Sequence, residues 1–215
     1  PAALGLLASL GLGEVAVLRR LRGAYFSTGD EILSLGQAPR EGAVYDSNRY
    51  TVSALLARLG VEVIGLGVVS ERPDALRAAF GQAAARADAV ITSGGVSVGE
   101  ADHTRAMMRQ LGDVVFWRIA MRPGRPMAVG RIAAAAVDLQ KKSGPGACPE
   151  SASSSQNNSD SAILFGLPGN PVAVMVTFLA FVRPALLRMM GARPEPPVLL
   201  RAQSSQAIPK KPGRT

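Results

Sequence analysis

Side chains able to grip an anion or a cation gather in four short stretches of this chain. The most suggestive is SGGVSVGEAD, residues 93–102, which follows the apolar run DAVI. Gly94 and Gly95 let the backbone adopt positive φ and let a ligand approach closely. Successive N–H groups in such a turn form an anion-binding concavity. The helix expected to begin near Asp102 adds a field that favours phosphate. Ser93 and Ser97 can donate hydroxyl hydrogen bonds. The same residues also suit a purely structural turn, with Asp102 as an ordinary N-cap, and spacing alone does not separate the two readings.

The other three stretches are less specific when taken singly. In TGDE (28–31), Asp30 and Glu31 directly follow an apolar run, where carboxylates can hold a divalent cation. Mg²⁺ typically takes one or two carboxylates and completes its shell with water and substrate phosphates. A solvated turn explains the same residues. In MRPGRPMA (121–128), Arg122 and Arg125 flank a Pro-Gly turn and can clamp an oxyanion; an exposed arginine pair is the plainer reading. In GLPGNP (166–171), Pro168 and Pro171 fix φ, Gly169 allows a bend, and Asn170 can cap a helix or bond a ligand. His103 is the only histidine, so a metal site built on several histidines is excluded, and a helix-surface position suits it.

The surrounding pattern indicates what must position these stretches. GAYFST (23–28), VEVIGLGVV (61–69), DAVITS (88–93), DVVFWRIA (113–120), RPMAVGRI (125–132) and SAILFGL (161–167) read as strands. Between them lie helical segments. One begins with Ser47 as N-cap and ends at Gly60, with Leu55, Leu56 and Leu59 as its buried stripe. A second has Pro73 in its first turn. A third runs over 102–112, and a long fourth over 171–191. Residues 2–10 also have helical spacing, and 14–20 read as a short strand or linker. Strands apolar on both faces that alternate with helices predict a mainly parallel sheet covered on both sides. Ligands of such sheets sit beyond the carboxyl ends of the strands, which is where STGDE and TSGGVSVGEAD fall.

Composition narrows the classes. The chain has 215 residues, 47% of them hydrophobic, and a formal net charge of +8. Of its 24 basic residues 20 are Arg, and aromatics are only 5%. With so much alanine, the charge reads partly as composition bias, and no basic run is interleaved with aromatics as nucleic-acid binding would require. The single cysteine, Cys148, rules out an internal disulfide and suits a reducing, cytoplasmic setting. The longest mainly apolar run, residues 172–182, interrupted only by Thr177, falls short of the roughly 20 residues of a membrane helix, so no membrane association is expected. Residues 139–161 are Ser-rich and nearly free of apolar side chains, the composition of a disordered insertion.

Together and in this order, FSTGDEIL, YDSNRY, ITSGGVSVGEAD, RPGRPMAVG and GLPGNPVA resemble the molybdopterin molybdenumtransferase family, to which the C-terminal domain of gephyrin also belongs. The related adenylyltransferases usually carry GGTG, and the competence-damage proteins GGLGPT, where this chain has GGVSVGEAD. The resemblance implies a three-layer α/β/α sandwich over 23–192, preceded by a lead-in helix and linker (1–22). Residues 193–215 would be the start of a truncated C-terminal β-domain. It implies insertion of molybdate into adenylylated molybdopterin with release of AMP, assisted by Mg²⁺ or another divalent cation. Asp30 and Asp102 would face metal, molybdate and phosphates, with Arg122 and Arg125 standing where the family often has lysine. Thr28, Gly29, Asn48, Ser93, Gly94, Gly95, Ser97, Gly99 and Glu100 would bind substrate, and Pro168, Gly169, Asn170 and Pro171 would shape the pocket wall. A homodimer is implied, as is contact with the pathway's adenylyltransferase.

The chain begins at Pro1 rather than a methionine and is expected to be a fragment without the family's first two domains, hence weak in binding and slow in turnover. Two other functions fit the same motifs: an adenylyltransferase making adenylylated molybdopterin from ATP, and a non-enzymatic scaffold of the gephyrin kind. Composition favours the first reading over the scaffold.

Overall fold

The computed structural model describes residues 2–95, 102–133, 161–192 and 200–207. Strands β1 (Arg22–Thr28), β4 (Glu62–Val69), β5 (Ala89–Ser93) and β8 (Ser161–Leu167) pair in parallel in the order β4-β1-β5-β8. Beyond β8 the sheet continues with β7 (Pro126–Ala133) and β6 (Gly112–Arg118), joined as an antiparallel hairpin, with β7 antiparallel to β8. The sheet is therefore mainly parallel, as the hydrophobic pattern predicts, and β7 alone runs against its neighbours. A separate two-stranded pair joins β2 (Ile32–Leu33) to β3 (Val44–Tyr45).

Each face of the sheet is covered by helices. On one side α3 (Pro73–Arg86) and α4 (Asp102–Leu111) bury Leu76, Phe80, Met107, Met108 and Leu111 against Ala24, Phe26, Val90 and Leu164. Phe26 and Phe80 meet edge to face with ring centroids 5.0 Å apart, the arrangement aromatic quadrupoles prefer. On the other side lie α2 (Ser47–Arg58), α5 (Pro171–Thr177) and α6 (Arg183–Met189), whose Val52, Leu56, Val174 and Leu186 pack with Tyr25, Ile91, Phe165 and Leu167. Successive residues of β1 thus enter opposite cores, which is why the strand reads as a continuous apolar run.

Several local expectations are refined. Asp46, not Ser47, is the N-cap of α2, its carboxylate accepting from the Arg49 N–H at 3.0 Å. At the other end Gly60, with φ +79°, closes a Schellman motif: its N–H reaches Ala57 O at 2.9 Å, and that of Val61 reaches Leu56 O at 3.2 Å. The stripe of α2 also includes fully buried Val52, while Leu55 and Leu59 are only half-buried. Gly112 begins β6 instead of ending α4. The first helix, α1 (Ala2–Ser9), forms but buries no side chain, and residues 14–20 have no regular structure. The Ser-rich residues 139–160 lie outside the described part.

The long helix at 171–189 is interrupted by a π-helical turn, Phe178–Val182. Pro184 has no N–H to give to the preceding turn, and the Arg183 N–H bonds Phe178 O, five residues back. This 19-residue segment has a mean hydropathy of 1.8, long and apolar enough to cross a membrane on those two criteria. It reaches that length only by including Arg183 and Arg188, beyond the shorter apolar run read from the sequence. Here its Ala173, Val174, Thr177, Phe178, Val182 and Leu186 are buried against the sheet and α2.

Candidate functional site at the carboxyl rim of the sheet

β1, β5 and β8 are adjacent and parallel, so the segments leaving them emerge at one rim: Gly29–Asp30, Gly94–Gly95 and Pro168–Asn170. The β6–β7 hairpin turn, residues 119–125, reaches the same rim, because β7 starts beside the end of β8. Asp30, Asp102, Arg122 and Asn170, far apart in sequence, therefore share one edge of the fold.

A cavity of about 260 Å³ opens there. Thr28 of β1, Ser93 at the end of β5 with Gly94 after it, and Gly169 and Pro171 after β8 form its inner wall. Asp46, Ser47 and Asn48 close it from the start of α2, while Glu31, Ile32, Val44 and Tyr45 form the outer wall. The close approach of three backbones depends on glycine. Gly94 has φ +91°, its N–H donates to Leu167 O at 3.1 Å, and a Cβ there would collide with the Thr28 carbonyl. Gly95, at φ +67°, lies against Thr104, whose Cγ2 would be 2.5 Å from a Cβ.

Beneath the cavity runs a buried chain of hydroxyls ending on a carboxylate. Ser27 Oγ donates to Asp46 Oδ2 at 2.8 Å. Tyr25 OH lies 2.9 Å from Ser27 Oγ and 2.6 Å from Ser93 Oγ, and the two serine oxygens are 3.3 Å apart. All four residues are at most 5% exposed. Burial pushes the Tyr25 phenol up to about 12, with the nearby Asp46 adding to the rise and the serine hydroxyls opposing it. The network ties the ends of β1 and β5 to the cap of α2. Asn48 completes the frame: its Nδ2 donates to Gly169 O at 2.8 Å.

Of the residues predicted for the site, Thr28, Asn48, Ser93, Gly94, Gly169 and Pro171 line the cavity. Asp30 does not. Its side chain is exposed and accepts from the Glu71 N–H at 3.4 Å, while its carbonyl accepts from Arg40. Glu31 is the acid of TGDE that lines the cavity. Pro168 is buried below the rim, and Asn170 caps α5, its Oδ1 accepting from the Val172 and Ala173 N–H groups at 3.0 and 3.1 Å. Arg122 and Arg125 are exposed on the hairpin turn, beside the cavity rather than in it. Ser97, Gly99 and Glu100 lie outside the described residues; Asp102 opens α4, but its side chain is not described. Among the described residues no cluster of three or more His, Cys, Asp or Glu could hold a metal.

Sequence reasoning missed Ser27, Tyr25 and Asp46. The available signals were a hydroxyl inside an otherwise apolar strand, and an Asp one residue ahead of the assumed cap. A larger groove of about 550 Å³ lies at the opposite edge, where β1, β5 and β8 begin. There Arg19 grips Asp88 with both terminal nitrogens, at 2.8 and 2.6 Å, and the Arg22 N–H adds a third bond at 2.8 Å. These hydrogen bonds, Arg19's first, hold the Asp88 carboxyl below its usual range. Ligands of parallel α/β sheets bind beyond the carboxyl ends, so the smaller cavity is the candidate site.

Fold and site together define an α/β/α domain with a cavity at the carboxyl rim of a mainly parallel sheet. A family model described as "Probable molybdopterin binding domain" matches residues 24–188. The chain belongs to that family. It is 40% identical over 193 residues to a molybdopterin molybdenumtransferase of Haemophilus influenzae, covering 90% of this chain and 41% of that protein. It is 37% identical to one from Nostoc sp., covering 96% and 42%. A crystal structure of a molybdopterin biosynthesis moeA protein from Pyrococcus horikosii superposes with a TM-score of 0.66 at 30% identity, covering 87% of this chain and 40% of that one. The chain thus spans about two fifths of the length of these relatives.

Proposed function

We propose that this chain carries the substrate-binding α/β domain of a molybdopterin molybdenumtransferase, which inserts molybdate into adenylylated molybdopterin and releases AMP. The observation that carries the reading is the convergence of STGDE, YDSN, TSGG and GLPGNP on one rim, with a cavity framed by Thr28, Asn48, Ser93, Gly94 and Gly169. Backbone N–H groups after β5 and the start of α4 suit phosphate. Arg122 and Arg125, on the neighbouring hairpin turn, suit the anionic molybdate or the leaving phosphate.

The exposed Asp30 carboxylate at the rim fits a hard cation such as Mg²⁺, which needs only one or two protein oxygens beside substrate phosphates. Asp30 and Asp102 would hold it, and the ion would neutralise charge gathering on the departing AMP. A homodimer, and contact with the adenylyltransferase that supplies the substrate, follow from the same resemblance.

The test is equilibrium binding of adenylylated molybdopterin, followed by AMP release on adding molybdate. The reading expects saturable, Mg²⁺-dependent binding, and AMP release that falls in Asp30→Asn and in Arg122→Ala. Synthesis of adenylylated molybdopterin from ATP and molybdopterin would instead assign the preceding reaction.

A further inference from the structure

The turn that carries Arg122 and Arg125 is anchored at a single point. Of residues 119–125 only Gly124 is buried, and the two arginines are exposed on either side of it. Among the described residues neither guanidinium has a hydrogen-bonding or ionic partner. The Ile119 N–H bonds Arg125 O at 2.7 Å and closes the base of the turn. Gly124 fixes the tip. Its φ is +108°, and a Cβ there would come 2.7 Å from Thr177 Cγ2 and 3.2 Å from Met121 Cε. Only glycine lets the backbone come so near the helix in that conformation.

Thr177 is shaped for this contact. It is fully buried, and its Oγ1 donates to Ala173 O at 2.7 Å, with Val174 O at 3.2 Å. A threonine in a helix has two accessible rotamers, and the bond its hydroxyl makes selects one. The γ-methyl is thereby held against Gly124. The helix is the one whose first residue, Pro171, lines the rim cavity. From Pro171 to Thr177 it rises about 9 Å, so one rigid element sets the arginines relative to the cavity.

Resting on the reading above that Arg122 and Arg125 hold molybdate or the leaving phosphate, we propose that Thr177 is a positioning residue. Its γ-methyl, seated on Gly124, holds the arginine turn in place beside the rim cavity. Thr177 acts through the turn, ordering it before an oxyanion arrives, so little freedom is lost on binding.

The experiment compares the 215-residue wild-type chain with Thr177→Ser, Thr177→Val and Ile91→Val. Serine keeps the hydroxyl and leaves a gap at Gly124, while valine keeps a γ-carbon there and loses the hydroxyl. Ile91→Val removes one methylene from the same core away from the turn, and gauges lost stability alone. Amide exchange of Ile119 relative to Phe26, followed by NMR, reads the turn. Calorimetric titration with sodium molybdate reads the arginines. Thr177→Ser is expected to speed the relative exchange of Ile119 about 10-fold. It should weaken molybdate binding about 5- to 30-fold, the effect of having to re-order two arginine side chains. Thr177→Val and Ile91→Val should stay within about twofold of wild type in both readouts. Gly124→Ala, which forces the tip off the methyl, should reproduce the loss of affinity.

Unchanged affinity in Thr177→Ser or in Gly124→Ala overturns the proposal, whatever the exchange rate. An equal loss in Thr177→Ser and Ile91→Val overturns it too, because the effect then follows stability. In these cases the functional reading stands as long as Arg122→Ala abolishes molybdate binding. If the wild type takes up no molybdate, or Arg122→Ala binds it undiminished, the functional reading fails and the proposal with it.

Discussion

Replacing Asp46 tests whether the hydroxyl chain under the cavity is a structural support. Its carboxylate caps α2 through the Arg49 N–H at 3.0 Å and accepts from Ser27 at 2.8 Å, in a residue only 5% exposed. Asp46→Ala removes both interactions. A lost N-cap costs about 1 kcal/mol, and a buried hydrogen bond to a charged acceptor about 1.5–3 kcal/mol. Two effects offset part of this: no carboxylate need be desolvated, and Ser27 can turn to Ser93, 3.3 Å away. The net loss should be about 2 kcal/mol, or roughly 4–8 °C in Tm for a chain of this length. Asp46→Asn should behave differently. Its amide oxygen still caps α2, and its NH₂ becomes a donor to Ser27, whose hydroxyl then donates to the Tyr25 oxygen, which donates to Ser93. Because each hydroxyl both donates and accepts, the chain can reverse direction at a cost below about 1 kcal/mol. Urea unfolding followed by circular dichroism measures both variants. Equal losses for Ala and Asn, or a negligible loss for Ala, would refute the reasoning.

Gly94→Ala should lose about 2–5 kcal/mol, from positive φ in an L-residue and from a Cβ forced against the Thr28 carbonyl; a loss below about 1 kcal/mol would mean the β1–β5 rim yields easily. Asn170→Ala should cost about 1 kcal/mol through the cap of α5, read as a small fall in Tm with the circular dichroism spectrum unchanged. Tyr25 gives a signature at high pH. Its folded pKa is raised above the unfolded value, so its contribution to stability is complete below about pH 10 and is lost as pH rises toward about 12. Ultraviolet titration should show a late phenolate phase that Tyr25→Phe removes; an unchanged titration in the variant would contradict the burial of that hydroxyl.

The sheet and its two helical layers were legible because apolar runs on both faces, Pro73 at a helix start and Gly60 at a helix end leave local marks. The motifs after β1, β5 and β8 pointed to the rim through strand direction alone. What stayed hidden depended on tertiary geometry. Nothing local tells that Asp30 turns to the Glu71 backbone while Glu31 faces the cavity. The Tyr25–Ser27–Ser93–Asp46 chain joins residues up to 68 positions apart, and each alone looks like an ordinary strand or cap residue. The π turn at Phe178–Val182 needed the local rule that Pro184 withholds an N–H, a signal present in the sequence but overridden by the continuous apolar pattern.

The most direct test is a crystal of this chain soaked with adenylylated molybdopterin and Mg²⁺. The account predicts substrate density between Asn48, Ser93 and Gly169, with the phosphates running out past Gly94 and Gly95 toward Asp30 and the Arg122–Arg125 turn. Density in the groove lined by Arg19, Arg22 and Arg131 at the opposite edge, with the rim cavity empty, would contradict it.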